Sequence, residues 1–213
     1  GAAPGAGFGR EHHDLGISRL TSKQETSRKA VFLDRDGTLN KNTHYLIDFE
    51  DFELLPGVET ALRLLQELDY RLFVVSNQSG IARGLFPFEA VEALHRKIES
   101  HLAGLGIRLE EMAFCPHHPE GLVEPYSKEC DCRKPKPGML RYLASKYDID
   151  IAESIMVGDS ESDALTGVNA GARGVWLRPD ADVIPLTGRV DNRANIKEFV
   201  SLLDFAESLR DID

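Results

Sequence analysis

Asp34 and Asp36 are the residues of this chain whose types and spacing most directly suggest chemistry. They close the stretch Val31-Phe32-Leu33-Asp34-Arg35-Asp36-Gly37-Thr38-Leu39, in which an apolar run stops at two carboxylates on alternate positions. The run reads as a buried strand, and Gly37 as the point where the chain turns away. Like charges repel and desolvation adds to their cost, so such a pair calls for a reason. One reason is a divalent cation. Another is a division of labour between a nucleophile and a general acid or base. An ordinary Asp-Gly turn after a strand is the bland alternative, and the stretch alone leaves it open.

Three further stretches carry polar groups where an apolar run ends. After Val74-Val75 come Ser76, Asn77, Gln78 and Ser79, neutral hydrogen-bonding groups suited to phosphate oxygens. Ile155-Met156-Val157 ends in Gly158-Asp159, with Asp163 one helical turn further on. Arg133, Lys134 and Lys136 put three cations within four residues, a composition fit for phosphate or for a solvated turn.

All three cysteines lie just ahead of those cations, as Cys115-Pro116-His117 and Cys130-Asp131-Cys132. Two close pairs of soft ligands separated by a loop match a structural zinc site of the three-cysteine, one-histidine type. The one-residue spacers are tighter than the common knuckle. His118 could replace His117, and a disulfide is the main competing use of the cysteines, weakened by their odd count.

The elements that must position these residues alternate. Strand signals fall near 30–34, 71–76, 110–115, 154–158 and 173–177, and helical patterns near 57–68, 87–103, 138–147, 161–170 and 195–209. That alternation predicts a doubly wound, mainly parallel α/β sheet with right-handed crossovers. Two connections are long: 35–55, which holds Asn42, Thr43, His44 and Tyr45, and the proline-rich 116–137, for which a metal clip would be the organiser. Neither gap after the first two strands has room for a large cap domain.

Composition sets the outer bounds. The 213 residues are 42% hydrophobic and 28% charged, as expected of one globular domain with an elaborated loop. A formal net charge of −10 argues against nucleic acid or an anionic membrane as partner. No apolar run reaches the length of a membrane span, so a cytoplasmic protein, monomeric or weakly oligomeric, is expected. Residues 1–28 read as an N-terminal arm, possibly flexible, and 29–213 as the working domain, with the metal loop at 115–132.

The four stretches DRDGT, SNQ, RKPKPG and GDSESD together resemble the motifs of the haloacid dehalogenase-like phosphatases over roughly residues 29–178. The zinc loop and Ser79-Gly80-Ile81-Ala82-Arg83-Gly84 look like the heptose-bisphosphate phosphatase branch, with histidinol-phosphate phosphatases as near relatives. Ser160 stands where that branch commonly has lysine.

The resemblance implies a Rossmann-like fold and a magnesium-dependent hydrolysis of a small phosphorylated sugar through an aspartyl-phosphate. Asp34 would be the nucleophile and Asp36 the general acid/base. Magnesium would be held by Asp34, the backbone carbonyl of Asp36 and Asp159, with Asp163 behind them. Ser76, Asn77 and Lys134 would hold the transferring phosphoryl group; Asn42, Thr43, His44, Tyr45 and Arg133 would meet the rest of the substrate. Zinc on Cys115, His117, Cys130 and Cys132 would be structural. A non-catalytic module that binds a phosphorylated ligand is the competing class, disfavoured by the intact aspartate pair.

Overall fold

The computed structural model describes residues 27–43, 45–179, 189–191 and 196–210. Its centre is a seven-stranded sheet in the order β3-β2-β1-β4-β5-β7-β6. The strands are β1 (Ala30–Leu33), β2 (Arg71–Asn77), β3 (Leu109–Cys115), β4 (Ile155–Gly158), β5 (Arg173–Leu177), β6 (Arg189–Asp191) and β7 (Ile196–Phe199). Every neighbouring pair is parallel except β6 with β7. The order reverses around β1, so the crevice at its carboxyl end is the switch point where doubly wound sheets bind ligands.

β1 is buried on both faces, which is why it reads as an unbroken apolar run. Alternate side chains serve two cores. Val31 and Leu33 pack with residues of α1 (Val58–Glu67), α2 (Phe88–Gly104) and α5 (Leu202–Ser208). Ala30 and Phe32 pack with Met139, Leu140 and Leu143 of α3 (Gly138–Tyr147). Phe32 is fully buried and stacks on Phe73, with ring centroids 5.3 Å apart. Truncation of a buried Phe to Ala costs about 3–5 kcal/mol, enough to loosen the strand that carries Asp34.

α4 (Glu161–Ala170) begins at a capping box. Ser160 Oγ accepts the Asp163 N–H at 3.3 Å, and the Asp163 carboxylate accepts the Ser160 N–H at 3.1 Å. α5 opens on a one-way cap, in which Ser201 Oγ accepts the Asp204 N–H at 3.1 Å.

The helix expected over 195–209 is corrected. Its first part is β7, and only Leu202–Ser208 is helical. Ile196 and Phe199 are buried beside β5, and a strand leaves Ser201 free to cap the short helix that follows. A helical period spread over both elements conceals that break. Residues 1–26, most of the expected N-terminal arm, lie outside the described residues. Arg28 is already docked, its guanidinium 3.1 Å from Asp148 Oδ1. Among the described residues no helix is long and apolar enough to cross a membrane.

Candidate active site

Asp34 follows β1 directly and keeps its register, donating its N–H to Val157 O of β4 at 2.9 Å. Its carboxylate is buried and meets Lys134, which arrives on the long connection between β3 and α3. Lys134 Nζ lies 2.5 Å from Asp34 Oδ1, 2.6 Å from Asp163 Oδ1 and 2.9 Å from Val75 O. Three ammonium protons therefore have three acceptors. Asn77 fastens the Lys134 backbone: its Oδ1 accepts the Lys134 N–H at 3.1 Å, and its Nδ2 donates to Lys134 O at 3.2 Å. The Asn77 amide, expected to meet phosphate, thus ties the second motif to the third.

Asp159 enters from the end of β4, its backbone carbonyl held by Trp176 Nε1 at 3.0 Å. Its carboxylate lies against the Cα of Gly37, where any Cβ would collide with it. Gly37 also has φ +82°, so both the turn and the close approach require glycine. Carboxylate oxygens of Asp34, Asp159 and Asp163 all lie within 4.8 Å of one another.

That crowding sets the electrostatics. Burial above all raises Asp34 from 3.8 to about 7, with Lys134 pulling it down and Asp163 pushing it further up. Burial and then Asp163 raise Asp159 to about 6. Burial favours a neutral Lys134, but Asp34 and then Asp163 outweigh it and raise the ammonium above its ordinary value. One cation does not balance two buried carboxylates and the half-buried Asp159, so the donor set fits a second, divalent one. Asp163 is already engaged, by Lys134 at Oδ1 and by Ser160 N and Oγ at Oδ2. That leaves Asp34 and Asp159 as the carboxylates that would meet a metal. Ser160, in the position expected to carry lysine, is a helix cap. The ammonium comes from Lys134, while Lys136 pairs with Glu129 on the surface at 3.5 Å.

Asp36 is held separately. It accepts Arg35 Nε at 3.1 Å and Asn40 Nδ2 at 3.1 Å on Oδ1, and Arg35 Nη2 at 2.7 Å and Gln78 Nε2 at 3.2 Å on Oδ2. Gln78 also bonds Ser76 Oγ at 2.8 Å.

A cavity of about 350 Å³ opens over these groups. Asp34, Asp36, Asn42, Tyr45, Ser76, Asn77, Gln78, Ser79, Lys134 and Asp159 are all in its wall, as are Ser160, Ser162 and Asp163. Thr43 and Arg133 are not in that wall, and His44 lies outside the described residues. Arg133 donates instead to His117 O at 3.2 Å. Arg35 and His95 had no place among the expected site residues. Both are polar residues in buried settings, a signal visible only once burial is known.

The cysteine loop closes on itself. Cys115 Sγ lies 3.6 Å from His117 Nδ1, 3.5 Å from Cys130 Sγ and 3.2 Å from Cys132 Sγ. Cys132 Sγ lies 3.3 Å from both His117 Nδ1 and Cys130 Sγ. Ligands about 2.3 Å from one tetrahedral ion sit roughly 3.8 Å apart, so the spacing suits zinc. No two of the three cysteines are bonded to each other, and all three sulfurs instead converge with His117 on one point. His117 is the histidine of the cluster. His118 turns away, with Arg83 Nη2 on its Nε2 at 3.2 Å and the Glu120 N–H on its Nδ1 at 3.1 Å. Gly138, the first residue of α3, packs so closely on Asp131 that a Cβ there would strike its backbone carbonyl. The cluster is thereby fixed to the core, two residues from Lys134.

A doubly wound sheet with carboxylates and one lysine converging at its switch point defines a hydrolase of the haloacid dehalogenase-like class. The comparisons agree. The family model described as "HAD-hyrolase-like" matches residues 131–182. A D-glycero-beta-D-manno-heptose-1,7-bisphosphate 7-phosphatase of Rhodopseudomonas palustris is 43% identical over 147 residues, covering 69% of this chain and 82% of its own. The protein of that name from Escherichia coli K12 is 42% identical over 168 residues, covering 78% of this chain and 86% of its own. The crystal structure of D,D-heptose 1,7-bisphosphate phosphatase from B. bronchiseptica, complexed with magnesium and phosphate, has a TM-score of 0.71 at 30% identity. That match covers 87% of this chain and 99% of the other. The chain belongs to the heptose-1,7-bisphosphate 7-phosphatase family of haloacid dehalogenase-like phosphatases.

Proposed function

We propose that this phosphatase removes the 7-phosphate of D-glycero-D-manno-heptose 1,7-bisphosphate, with residues 29–213 as its catalytic domain. The observation that carries the reading is the meeting of Asp34, Lys134 and Asp159 at one switch-point cavity. The names of the relatives support the choice of substrate.

Lys134 binds Asp34 Oδ1, so Oδ2 is the attacking atom. It forms a bond to phosphorus as the bond from phosphorus to the sugar oxygen breaks, giving an aspartyl-phosphate. Asp36 gives its proton to the departing oxygen. It then takes a proton from the water that attacks phosphorus, releasing inorganic phosphate and regenerating Asp34. Lys134 stays charged and balances the phosphoryl oxygens. Ser76 and Ser79 supply neutral hydrogen bonds in the same wall. Asn42 and Tyr45 face the sugar.

Asp34, Asp159 and the Asp36 carbonyl would hold magnesium, which when bound keeps Asp34 ionised and shields it from the anionic phosphate. Zinc on Cys115, His117, Cys130 and Cys132 would staple the loop that delivers Lys134.

Phosphate release measured with magnesium across heptose 1,7-bisphosphate, histidinol phosphate and simple sugar phosphates tests the reading. The heptose substrate is expected to lead in kcat/KM, the ratio that expresses discrimination, by about tenfold or more. Asp34→Asn is expected to remain folded and lose about 10⁴-fold or more in kcat. Full turnover by that variant rejects the covalent mechanism. A higher kcat/KM on histidinol phosphate rejects the substrate.

A further inference from the structure

Arg35 is the largest fully buried side chain of the described residues, and it does not line the cavity. A guanidinium without solvent needs acceptors for its N–H groups, and this one has two sources. Nε and Nη2 form a fork on the neighbouring Asp36 carboxylate, at 3.1 and 2.7 Å. Nη1 points the other way, to His95 Nε2 of α2 at 3.1 Å.

His95 is itself buried, with the ring of Phe114 edge-on at 5.3 Å. Its Nδ1 lies near the Met112 backbone without a well-formed hydrogen bond. An apolar residue would fill that place on α2 with no polar group to desolvate. The contact with Arg35 is what the imidazole adds there.

We infer that His95 and Arg35 are positioning residues for the cleavage step: His95 holds the Arg35 guanidinium in plane, and the guanidinium fixes the Asp36 carboxylate toward the cavity. This rests on the acid/base role proposed for Asp36.

The four N–H contacts on Asp36 are unequal in consequence. Arg35 and Asn40 are buried outside the cavity wall, whereas Gln78 lines it, at the longest of the four distances. The leaving sugar oxygen, and later the attacking water, can displace the Gln78 amide from Oδ2 while Arg35 keeps the carboxylate from rotating. An Arg fork fixes two oxygens at once, which a lysine ammonium cannot do. Burial first, and then Arg35, lower His95 to about 3, so it stays a neutral acceptor throughout the working pH range.

The test compares two leaving groups by kcat/KM, which reports steps up to departure of the leaving group. A sugar oxygen needs a proton to leave, whereas the nitrophenolate of p-nitrophenyl phosphate does not. On the sugar phosphate, Arg35→Lys is expected to lose about 100-fold and His95→Leu about tenfold, within or near the usual worth of a placed proton donor. On p-nitrophenyl phosphate both are expected to lose less than about threefold. His95→Gln, whose amide oxygen can accept from Arg35, is expected to return the sugar phosphate rate to within about threefold of the parent. Equal losses on both substrates, wild-type behaviour of His95→Leu, or failure of His95→Gln to restore the rate overturns the inference. If His95→Leu does not fold, the leaving-group dependence of Arg35→Lys decides. Asp36→Asn assayed in parallel separates the two readings. Its full activity on the sugar phosphate rejects the acid/base role itself. Its inactivity, combined with substrate-independent losses in the positioning variants, rejects only their part in it.

Discussion

The carboxylate cavity and the cysteine cluster meet at Lys134 and Cys132, two residues apart in the chain, yet they are built on opposite terms. The cavity brings together hard oxygen ligands that burial and mutual repulsion have pushed toward protonation, Asp34 to about 7 and Asp159 to about 6. It is open, and its charges are only partly balanced. The cluster gathers four soft donors within a few ångströms of one another and turns them on each other. Within it Cys132 is drawn down to about 5, first by its contact with Cys115. One region holds unbalanced charge beside an open cavity; the other closes its donors on a single point. Their proximity lets the second position the first, since Lys134 reaches Asp34 from a loop with little apolar surface of its own.

The sharpest way to break this division is Lys134→Met. It leaves Asp34 and Asp163 buried without their shared cation. A loss of about 3–5 kcal/mol in urea unfolding is expected, as for other broken buried pairs, with phosphate release nearly abolished. A stable, active variant would show that the cavity does not depend on this ammonium.

Next in size is Cys130→Ser. Zinc content is expected to fall from about one per chain to well below that, the melting temperature to drop, and kcat to fall about tenfold through displacement of Lys134. Loss of zinc with wild-type kcat would uncouple the two regions.

A gentler probe is pH. Both Asp34 and Asp159 are raised, so protons compete with magnesium for them. The apparent magnesium affinity should climb as pH rises through about 6 and 7 and level off above, because the ligands must be ionised to bind. Calorimetric titration of magnesium at several pH values reads this directly. A flat profile would mean that the metal does not use these carboxylates.

The smallest effect belongs to Ser160→Ala, which removes the cap of α4 and one partner of Asp163. A destabilisation of about 1 kcal/mol is expected by denaturant titration, with KM little changed.

What could be read from the sequence was local. The five strands from β1 to β5 and the four helices between them follow from short apolar runs, prolines and glycines, and the structure keeps them within a few residues of expectation. Asp34, Asp36 and Asp159 were legible because each ends such a run. The C-terminal segment reads from sequence as one helix, since a strand and a seven-residue helix both fit a helical period across the break at Ser201. His95 was invisible for another reason. A single histidine on a helix reads as ordinary until the fold sets it 3.1 Å from a buried arginine sixty positions earlier.

The order of residues therefore determined which chemical groups this chain has and which strand ends carry them, because strand and turn propensities act over a few neighbours. Tertiary structure decided the partners. It chose His117 over His118, gave the Asn77 amide to the Lys134 backbone, set Ser160 to capping and put the ammonium on Lys134. Each choice depends on distances between segments far apart in sequence, where burial makes an unpartnered charge too costly to keep.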